Sequence, residues 1–303
     1  MSELSDQFDA PVKRFEVGGH AMAYRDVGPT AAGQSDVTEA PRPTILCVHG
    51  NPTWSYYYRG VAQRFGADHR VIAVDHIGCG HSDKPSQSEF AYTLANHQSN
   101  LVALIEHLDL SDVVLLAHDW GGAIGLGAVV RCKPRFRGIM LLNTAAFPPP
   151  YVPWRIAACR IPVLGTLGVR GVNLFARAAI TMAMSRNRMR PAVAENLLKP
   201  YDSWTNRVAI DAFVRDIPFS KAAPTYQTLV DLENALPSLA DLSSLLVWGM
   251  KDWCFRPECL RRFQSVWPSA TSVEIDDAGH YVIEDAPAET LDAIGQFLKD
   301  RIR

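Results

Sequence analysis

Short apolar runs alternate with amphipathic stretches along most of the chain. The continuous apolar runs are Thr44–Val48, Val71–Asp75, Val113–Ala117 and Gly138–Asn143. Between two of them, Leu94–Leu108 repeats apolar residues at the three- and four-residue spacing that predicts a helix with one buried face. Continuous apolar strands that alternate with helices indicate a parallel sheet covered by helices on both faces.

The flanking segments extend this pattern in both directions. Residues 12–27 predict two antiparallel strands around Gly18-Gly19, and residues 28–43 predict a surface loop rich in Gly, Pro, Thr and Ala. The other predicted elements are a helix around Tyr57–Phe65, a helix over Gly121–Arg131, strands at Ser244–Trp248 and Thr271–Ile275, and a last helix from about Pro287 to Arg301.

The alternation stops after Asn143. Phe147-Pro148-Pro149-Pro150 cannot continue a strand, and residues 150–220 are mostly helical in character. We therefore expect a core domain of residues 1–146 and 221–303, and a helical cap of residues 147–220 inserted after the sixth strand. The apolar bulk of this cap is expected to come from Trp154, Phe175, Met182, Met184, Trp204 and Phe213.

Composition excludes several classes of protein. A net charge of -2 gives no electrostatic reason to expect nucleic acid as a partner. The six cysteines lack metal-ligand spacing, so reduced thiols in a cytoplasmic protein are expected rather than disulfides. The polar N-terminus does not resemble a signal peptide, and no apolar run approaches the roughly 20 residues of a membrane span. No transmembrane segment is predicted, while peripheral contact with a membrane or a partner stays open.

The segment around Asp119 combines a buried strand, a sharp turn and a helix that opens on glycines. His118-Asp119-Trp120-Gly121-Gly122 spans the turn and the helix start. This order is typical of a nucleophile elbow, a strained turn that lifts one side chain above the sheet. The usual occupant is serine or cysteine, whereas a carboxylate forms a covalent ester by displacement. We therefore predict Asp119 as a nucleophile, with a second group that delivers water to break the ester.

That second group is predicted far downstream, in Asp276-Asp277-Ala278-Gly279-His280. This turn follows a predicted strand, so His280 is expected to face the elbow as the base, in the chain order nucleophile, acid, histidine of α/β hydrolases. Two strand ends are candidates for the orienting acid. Asn143-Thr144 contains no carboxylate, whereas Gly249-Met250-Lys251-Asp252 does, so Asp252 is predicted to hold His280 in one tautomer.

Two further residues are candidates for hydrogen-bond donors at the reacting centre. Asn51 follows the strand at Thr44–Val48, where α/β hydrolases place an oxyanion donor, and Trp120 directly follows the nucleophile. An amide and an indole N–H together suit a departing halide or oxygen, because neither carries a competing charge. The structural alternatives are a turn asparagine before proline and a packed tryptophan.

The remaining acids and histidines near these motifs are expected to be structural. Asp26, Asp75 and Asp83 are interpreted as strand-end and loop carboxylates, and His118 is expected to point away from Asp119. The glycine-rich run at 78–84 lacks the spacing of a phosphate-binding loop, so it is interpreted as a structural loop.

Taken together, these motifs resemble the haloalkane dehalogenase family of α/β hydrolases. The matching residues are His49-Gly50-Asn51-Pro52-Thr53, Gly78-Cys79-Gly80-His81-Ser82-Asp83-Lys84-Pro85, His118-Asp119-Trp120-Gly121-Gly122 and Asp277-Ala278-Gly279-His280. The resemblance covers nearly the whole chain and looks like the third subfamily. It implies an α/β-hydrolase fold with a mostly parallel eight-stranded sheet, Asp119 as nucleophile, His280 as base, Asp252 as acid, and Asn51 with Trp120 as halide donors. It implies no metal or organic cofactor.

The chain is also similar to the β-lactone decarboxylases of bacterial long-chain olefin biosynthesis. This likeness includes Asn143-Thr144-Ala145-Ala146-Phe147-Pro148, Pro200-Tyr201-Asp202-Ser203-Trp204 and Trp248-Gly249-Met250-Lys251-Asp252-Trp253-Cys254-Phe255. Those enzymes use the same elbow aspartate to open a cis-3-alkyl-4-alkyl-oxetan-2-one, and they release carbon dioxide and an alkene. The resemblance implies a small apolar substrate, either a haloalkane or an alkyl β-lactone. It also implies a multienzyme assembly, with a homo-oligomer as the alternative.

Other enzymes with related elbows fit the sequence less well. Epoxide hydrolases carry the same elbow and two cap tyrosines, for which Tyr151 and Tyr201 are candidates, but Asn51 stands where they usually have an aromatic residue. Fluoroacetate dehalogenases have arginine where this chain has Trp120. A serine esterase is excluded by Asp119 itself, and a non-enzymatic binding protein would be expected to lack part of the triad. Haloalkane dehalogenation is thus the first expectation, β-lactone decarboxylation the alternative, and epoxide hydrolysis a further alternative.

Overall fold

The computed structural model describes residues 5–29 and 42–302, so most of the predicted loop over 28–43 lies outside the described residues. Within these ranges eight strands form one sheet, in the spatial order β1-β2-β4-β3-β5-β6-β7-β8. The strands are β1 (Val12–Val17), β2 (His20–Val27), β3 (Thr44–Val48), β4 (Val71–Asp75), β5 (Val113–Asp119), β6 (Phe136–Thr144), β7 (Ser243–Gly249) and β8 (Thr271–Ile275).

The sheet is parallel apart from its first edge. β2 is antiparallel to both β1 and β4, whereas the pairs from β4 through β3, β5, β6 and β7 to β8 are parallel. All seven residues of β5 are buried, as expected for a central strand covered on both faces. The mostly parallel eight-stranded sheet predicted from the sequence is therefore confirmed.

Helices cover both faces of this sheet. Their bounds are α1 (Arg59–Phe65), α2 (Leu94–His107), α3 (Trp120–Arg131), α4 (Trp154–Ala158), α5 (Leu164–Thr166), α6 (Leu174–Met182), α7 (Pro191–Leu198), α8 (Val208–Asp216), α9 (Pro224–Ala235), α10 (Pro257–Val266), α11 (Val282–Asp285) and α12 (Pro287–Arg301). Successive side chains of β5 point to opposite faces. Leu115 therefore packs in one apolar core with Leu101 of α2, and Leu116 packs in a second core with Ile294 of α12.

The observed elements differ from the predicted ones mainly at their ends. β5 continues to Asp119 and α3 begins at Trp120, so the strand passes into the helix without an intervening loop. The helix predicted around Tyr57–Phe65 begins with a 3-10 turn, Ser55–Tyr58, before the α-helical part. The last helix has the predicted bounds.

The chain between β6 and β7 leaves the sheet and forms α4 to α8. α9 returns to the core, because it packs against α2 and α3. This arrangement supports the predicted cap of residues 147–220, although the division into a core and a cap stays a prediction. The expected apolar bulk is only partly buried, since Phe213 is buried whereas Trp154 and Trp204 are 72% and 44% exposed.

The turn from β5 into α3 places strong demands on the backbone. Asp119 has φ 55° and ψ -130°, outside the conformations that residues other than glycine usually adopt. Strain of this kind persists only where the surrounding packing imposes it. Here the turn lies against β3, because a side chain at Gly121 would overlap the carbonyl oxygens of Val48 and His49. The strained elbow predicted from the sequence is thus present.

Gly121→Ala is expected to destabilise the protein by about 3 kcal/mol or more, because the added methyl group overlaps rigid backbone atoms. The matched control is Gly168→Ala, where the nearest atom is a leucine methyl 3.4 Å from the added carbon. Chemical denaturation of both variants measures the difference. Equal stabilities would contradict this account of the elbow.

Candidate active site

Three side chains from the ends of separate strands meet above the sheet. Asp119 follows directly from β5, Asp252 lies three residues after β7, and His280 lies five residues after β8. The His280 Nδ1–H donates to Asp252 Oδ2 at 2.8 Å, and His280 Nε2 lies 3.6 Å from Asp119 Oδ2. The imidazole therefore faces the Asp119 carboxylate while Asp252 fixes its orientation. All three side chains are buried.

The Asp119 carboxylate is held by backbone donors on the side away from His280. The Asn51 N–H donates to Asp119 Oδ1 at 2.6 Å, and the Trp120 N–H also donates to this carboxylate. Burial raises the pKa of Asp119, while His280 and the two N–H groups oppose that rise. The geometry thus presents one carboxylate oxygen toward His280 and fixes the other.

The position of His280 depends on Asp252 and on a residue at the end of β6. Asn143 Nδ2 donates to Asp252 Oδ2 at 3.0 Å, and the Cys254 N–H donates to Asp252 Oδ1 at 2.7 Å. Burial alone would lower the pKa of His280, but the negative charges of Asp252 and Asp119 outweigh it, so the pKa lies above its ordinary value. The histidine is therefore poised to take and hold a proton.

The sequence predicts no role at the site for Asn143, which stands at a strand end without a carboxylate. In the structure its amide joins β6 to the acid loop, because it also accepts from the Gly249 N–H at 2.8 Å and donates to the Gly249 carbonyl at 3.1 Å. Its φ of 28° is positive, which is uncommon for residues other than glycine. Asn143 lies at the end of β6, and Asp252 lies just after the end of the neighbouring strand β7. This equivalent position is the sequence signal that could have identified Asn143.

A second residue missed from the sequence is Asp285, which is fully buried in α11. Its carboxylate accepts from the Gly279 N–H at 2.6 Å, directly before His280. It also accepts from the backbone N–H groups of Ser185, Arg186 and Asn187 at 2.7, 3.1 and 2.8 Å. One carboxylate therefore joins the turn that carries His280 to the helical segment above the sheet. Contacts so distant in sequence leave no local signal.

The side chains of Asn51 and Trp120 occupy different surroundings. Asn51 Nδ2 donates to the Ile210 carbonyl of α8 at 3.2 Å, so one of its two amide hydrogens is already engaged. The Trp120 ring packs on Phe213 with centroids 5.6 Å apart. Among the residues that the structure describes, no acceptor for the Trp120 indole N–H is found, whereas both residues line the same cavity as Asp119.

This cavity lies between the sheet and the segment above it. Asp119, Asn51, Trp120 and His280 form its polar part. The remaining wall is almost entirely apolar or aromatic, with Phe147, Ile156, Phe175, Val214, Leu229 and Phe255 among its residues. An apolar cavity with a few convergent polar groups is the usual form of a small-molecule site. It suits an apolar substrate whose reacting atom lies beside Asp119.

The residues predicted to be structural have structural contacts. Asp75 accepts from the backbone N–H groups of Ser55 and His81, and Asp26 is paired with Lys13 and Arg70. His118 Nε2 lies 2.9 Å from the carbonyl oxygen of His280, so its ring supports the histidine backbone and does not face the Asp119 carboxylate. Burial lowers the pKa of His118 well below its ordinary value.

The tyrosines expected of an epoxide hydrolase are both engaged. The Tyr151 hydroxyl donates to the Cys254 carbonyl at 2.6 Å, and the Tyr201 hydroxyl donates to the Thr53 carbonyl at 3.2 Å. In addition, Tyr201 is not among the residues that line the cavity. The described part of the chain therefore offers no pair of cavity tyrosines free to protonate an epoxide oxygen.

Comparison with known proteins agrees with this geometry. The sequence pattern of the alpha/beta hydrolase fold family matches residues 43–287, and the chain belongs to that family. It is an enzyme of the α/β hydrolase class. Among the described residues, none of the helices is long and apolar enough to cross a membrane.

Named relatives fall into two activities. The chain is 37% identical to a cis-3-alkyl-4-alkyloxetan-2-one decarboxylase from Xanthomonas campestris, over 95% of each chain. It is 31% identical to haloalkane dehalogenase 2 from Mycobacterium tuberculosis, over 85% of this chain and 88% of that protein. The haloalkane dehalogenase DatA from Agrobacterium tumefaciens has a similar structure, with a TM-score of 0.82, 25% identity and 97% coverage of both chains.

Asp285→Ala is expected to lower the free energy of unfolding by about 3 kcal/mol, because four backbone N–H groups, the buried one of Gly279 among them, lose a charged acceptor. Asp292→Ala, an exposed position on α12, is the matched control and should change stability by less than about 0.5 kcal/mol. Urea denaturation compares the two. If Asp285→Ala were as stable as its control, the carboxylate would not hold the two segments together.

Proposed function

We propose that this enzyme converts a β-lactone with two alkyl substituents into an alkene and carbon dioxide, with Asp119 as the nucleophile. The observation that carries the proposal is the Asp119 carboxylate itself, which lies in an apolar cavity with His280 Nε2 3.6 Å from one oxygen and the Asn51 N–H on the other. The 37% identity to a named decarboxylase, against 31% to a dehalogenase, supports the lactone over the haloalkane as substrate.

The reaction proceeds in two steps and consumes neither water nor a net proton. Asp119 attacks the ring carbon that bears the lactone oxygen, forms a C–O bond and breaks the bond to that oxygen. This leaves an alkyl ester on Asp119 and a free carboxylate on the adjacent carbon. The bond to that carboxylate then breaks, its electrons form the double bond, carbon dioxide leaves, and the Asp119 carboxylate is released.

The stereochemistry of this route follows from the direction of attack. Displacement at the back of the ring C–O bond places the new ester bond antiperiplanar to the bond that will release carbon dioxide. Fragmentation then needs no rotation about the central C–C bond. A cis-disubstituted lactone therefore gives a cis alkene.

The surroundings of Asp119 fit this chemistry. The carboxylate leaves at the second step, so donors that stabilise its charge accelerate that step, and the Asn51 and Trp120 N–H groups are already aligned. His280 acts as a positive charge beside the other oxygen, supported by Asp252. The apolar wall accepts two alkyl chains and limits hydrolysis of the ester by water.

Haloalkane hydrolysis is the second candidate, favoured by one observation. Trp120 and Asn51 both line the cavity, and the Trp120 indole N–H has no acceptor among the described residues. In that reaction His280 removes a proton from the water that hydrolyses the Asp119 ester. Both reactions share the first displacement and differ in the fate of the ester. The expected multienzyme assembly or homo-oligomer, and the cytoplasmic location, stay predictions.

The wild-type enzyme is expected to convert a synthetic cis-3-alkyl-4-alkyl-oxetan-2-one into the cis alkene, detected by gas chromatography, and Asp119→Ala should abolish the product without unfolding the protein. The matched control is Asp83→Ala, because the Asp83 side chain is partly exposed, whereas Asp75 is buried and its loss would affect folding. A parallel assay offers a 1-bromoalkane and measures halide. Halide release without any alkene would replace the proposal with the dehalogenase function.

Labelled water separates the two fates of the ester. During decarboxylation no oxygen from water enters Asp119, whereas hydrolysis attacks the ester carbonyl and leaves a water oxygen on Asp119. Mass spectrometry of the Asp119 peptide after many turnovers in heavy-oxygen water should therefore show no label with the lactone. Labelling in proportion to alkene formed would contradict the route.

The pH dependence offers a further test. Hydrolysis needs neutral His280, whose pKa is raised by Asp252 and Asp119, so the hydroxy acid by-product should decrease as the pH falls through that value. Alkene formation needs ionised Asp119, and the positive charge of protonated His280 favours that ionised form, so alkene formation should continue after His280 is protonated. The ratio of alkene to hydroxy acid, measured against pH, should therefore rise on acidification. A falling ratio would mean that decarboxylation also requires neutral His280.

A further inference from the structure

The exposed apolar side chains of the described residues are concentrated in one short segment. Those more than half exposed are Trp154, Val163, Leu164, Leu167, Val172 and Leu174, which we call the apolar face. All six lie within 21 consecutive residues, and their exposed fractions range from 51% to 72%. Single exposed apolar residues are ordinary, but a cluster of this kind marks an interaction surface.

The same segment is strongly basic in an otherwise slightly acidic chain. Residues 151–190 contain seven arginines and no aspartate or glutamate, although the whole chain has a net charge of -2. Arg155 and Arg177 are exposed at the two ends of the apolar face. Arg186 and Arg190 of this segment are paired with carboxylates of other segments, whereas in the described ranges no ion pair with a carboxylate is found for Arg155 or Arg177. Apolar side chains bordered by cations are typical of a surface that lies on an anionic bilayer.

Val163 adds an independent observation from the backbone. It has φ 64° and ψ -59°, and the Leu164 N–H donates to the Pro162 carbonyl at 2.7 Å, which together form a strained three-residue turn. A β-branched residue is disfavoured in this conformation, and glycine would adopt it freely. The structure nevertheless holds a valine at the tip of this turn, with 71% of it exposed. The stability of the fold gives no reason for an exposed valine at this position.

The apolar face is adjacent to the cavity. Ile156 of α4 and Phe175 with Ala179 of α6 line the cavity, whereas Trp154 and Leu174 at the starts of the same two helices are exposed. One layer of helix, about 10 Å thick, therefore separates the apolar face from the site of Asp119. An apolar molecule dissolved in whatever covers this face would have a short path to the cavity.

We propose that the apolar face docks on the surface of an anionic phospholipid bilayer. The six apolar side chains enter the boundary between headgroups and acyl chains, and Arg155 and Arg177 contact the lipid phosphates. A second copy of the chain fits less well, because a symmetric contact would bring the arginines of both copies together. The docking surface does not depend on the reaction at Asp119, so the two proposals fail independently.

The first test is co-sedimentation with vesicles in the absence of substrate. The wild-type protein should bind vesicles rich in phosphatidylglycerol, bind pure phosphatidylcholine vesicles weakly, and dissociate as salt is raised. Val163→Ser combined with Leu164→Ser should weaken binding by about tenfold or more, because two apolar side chains no longer enter the bilayer. The matched control is Val12→Ser, at an exposed apolar position on β1 that lies outside the apolar face.

Two further variants test the charge and the strained turn. Arg177→Glu should weaken binding to the anionic vesicles severalfold, while the control Arg261→Glu, exposed on α10, should not. Val163→Gly should also weaken binding, yet leave the Tm unchanged or raised, because it relieves the turn. Loss of binding without loss of stability separates docking from a folding defect.

The proposal is overturned if wild-type protein does not bind anionic vesicles, or if the Val163 and Leu164 substitutions leave that binding unchanged. Concentration-dependent dimers that the same double variant abolishes, in protein that does not bind vesicles, would assign the apolar face to a second copy. Binding to an acidic protein without binding to vesicles would assign it to a protein partner.

Discussion

A buried carboxylate at the elbow is the constraint on which the rest of the structure depends. Moving an ionised aspartate out of water is costly unless other groups replace the lost hydration. At Asp119 those groups are the Asn51 N–H after β3, the Trp120 N–H at the start of α3, and His280 after β8, so two of the three come from distant parts of the chain. The parallel sheet brings these segments to one edge, and the start of α3 adds the positive end of its dipole. Without that convergence burial would raise the pKa of Asp119 further and favour its neutral form, which is a poor nucleophile.

A second buried carboxylate, that of Asp285, joins the helical segment above the sheet to the turn that carries His280. Asp285 accepts from the turn before His280 and from three residues that precede α7. The Tyr281 N–H also donates to the Ala183 carbonyl, at 2.9 Å. The helical segment that forms much of the cavity wall is therefore attached directly to the backbone that carries the base. A change in the path of that segment is therefore expected to shift His280 as well.

The hydrophobic pattern predicted the sheet, the elbow and the last helix well, because each of these depends on local periodicity or on a short motif. The convergence of Asp119, Asp252 and His280 could also be predicted, since parallel strands all place their carboxyl ends at one edge of the sheet. The role of Asp285 could not be predicted, because its partners lie about 100 residues away or across a turn whose path depends on tertiary packing. The exposure of Trp154 could not be predicted either, because a tryptophan in a helical segment is usually buried. In the structure its helix buries Ile156 against the cavity and leaves Trp154 exposed.

In the proposed reaction, the first displacement at Asp119 can lead to two products, and access of water decides between them. An alkyl ester on Asp119 that bears no neighbouring carboxylate can only be hydrolysed, so a dehalogenase must bring water to His280. An ester that carries a carboxylate on the adjacent carbon can fragment instead, provided that the two breaking bonds are antiperiplanar, which attack from the back of the ring already ensures. Fragmentation is unimolecular and needs no water. Under the proposed function, the almost wholly apolar wall around Asp119 limits the access of water, and protonated His280 stabilises the Asp119 carboxylate as it leaves.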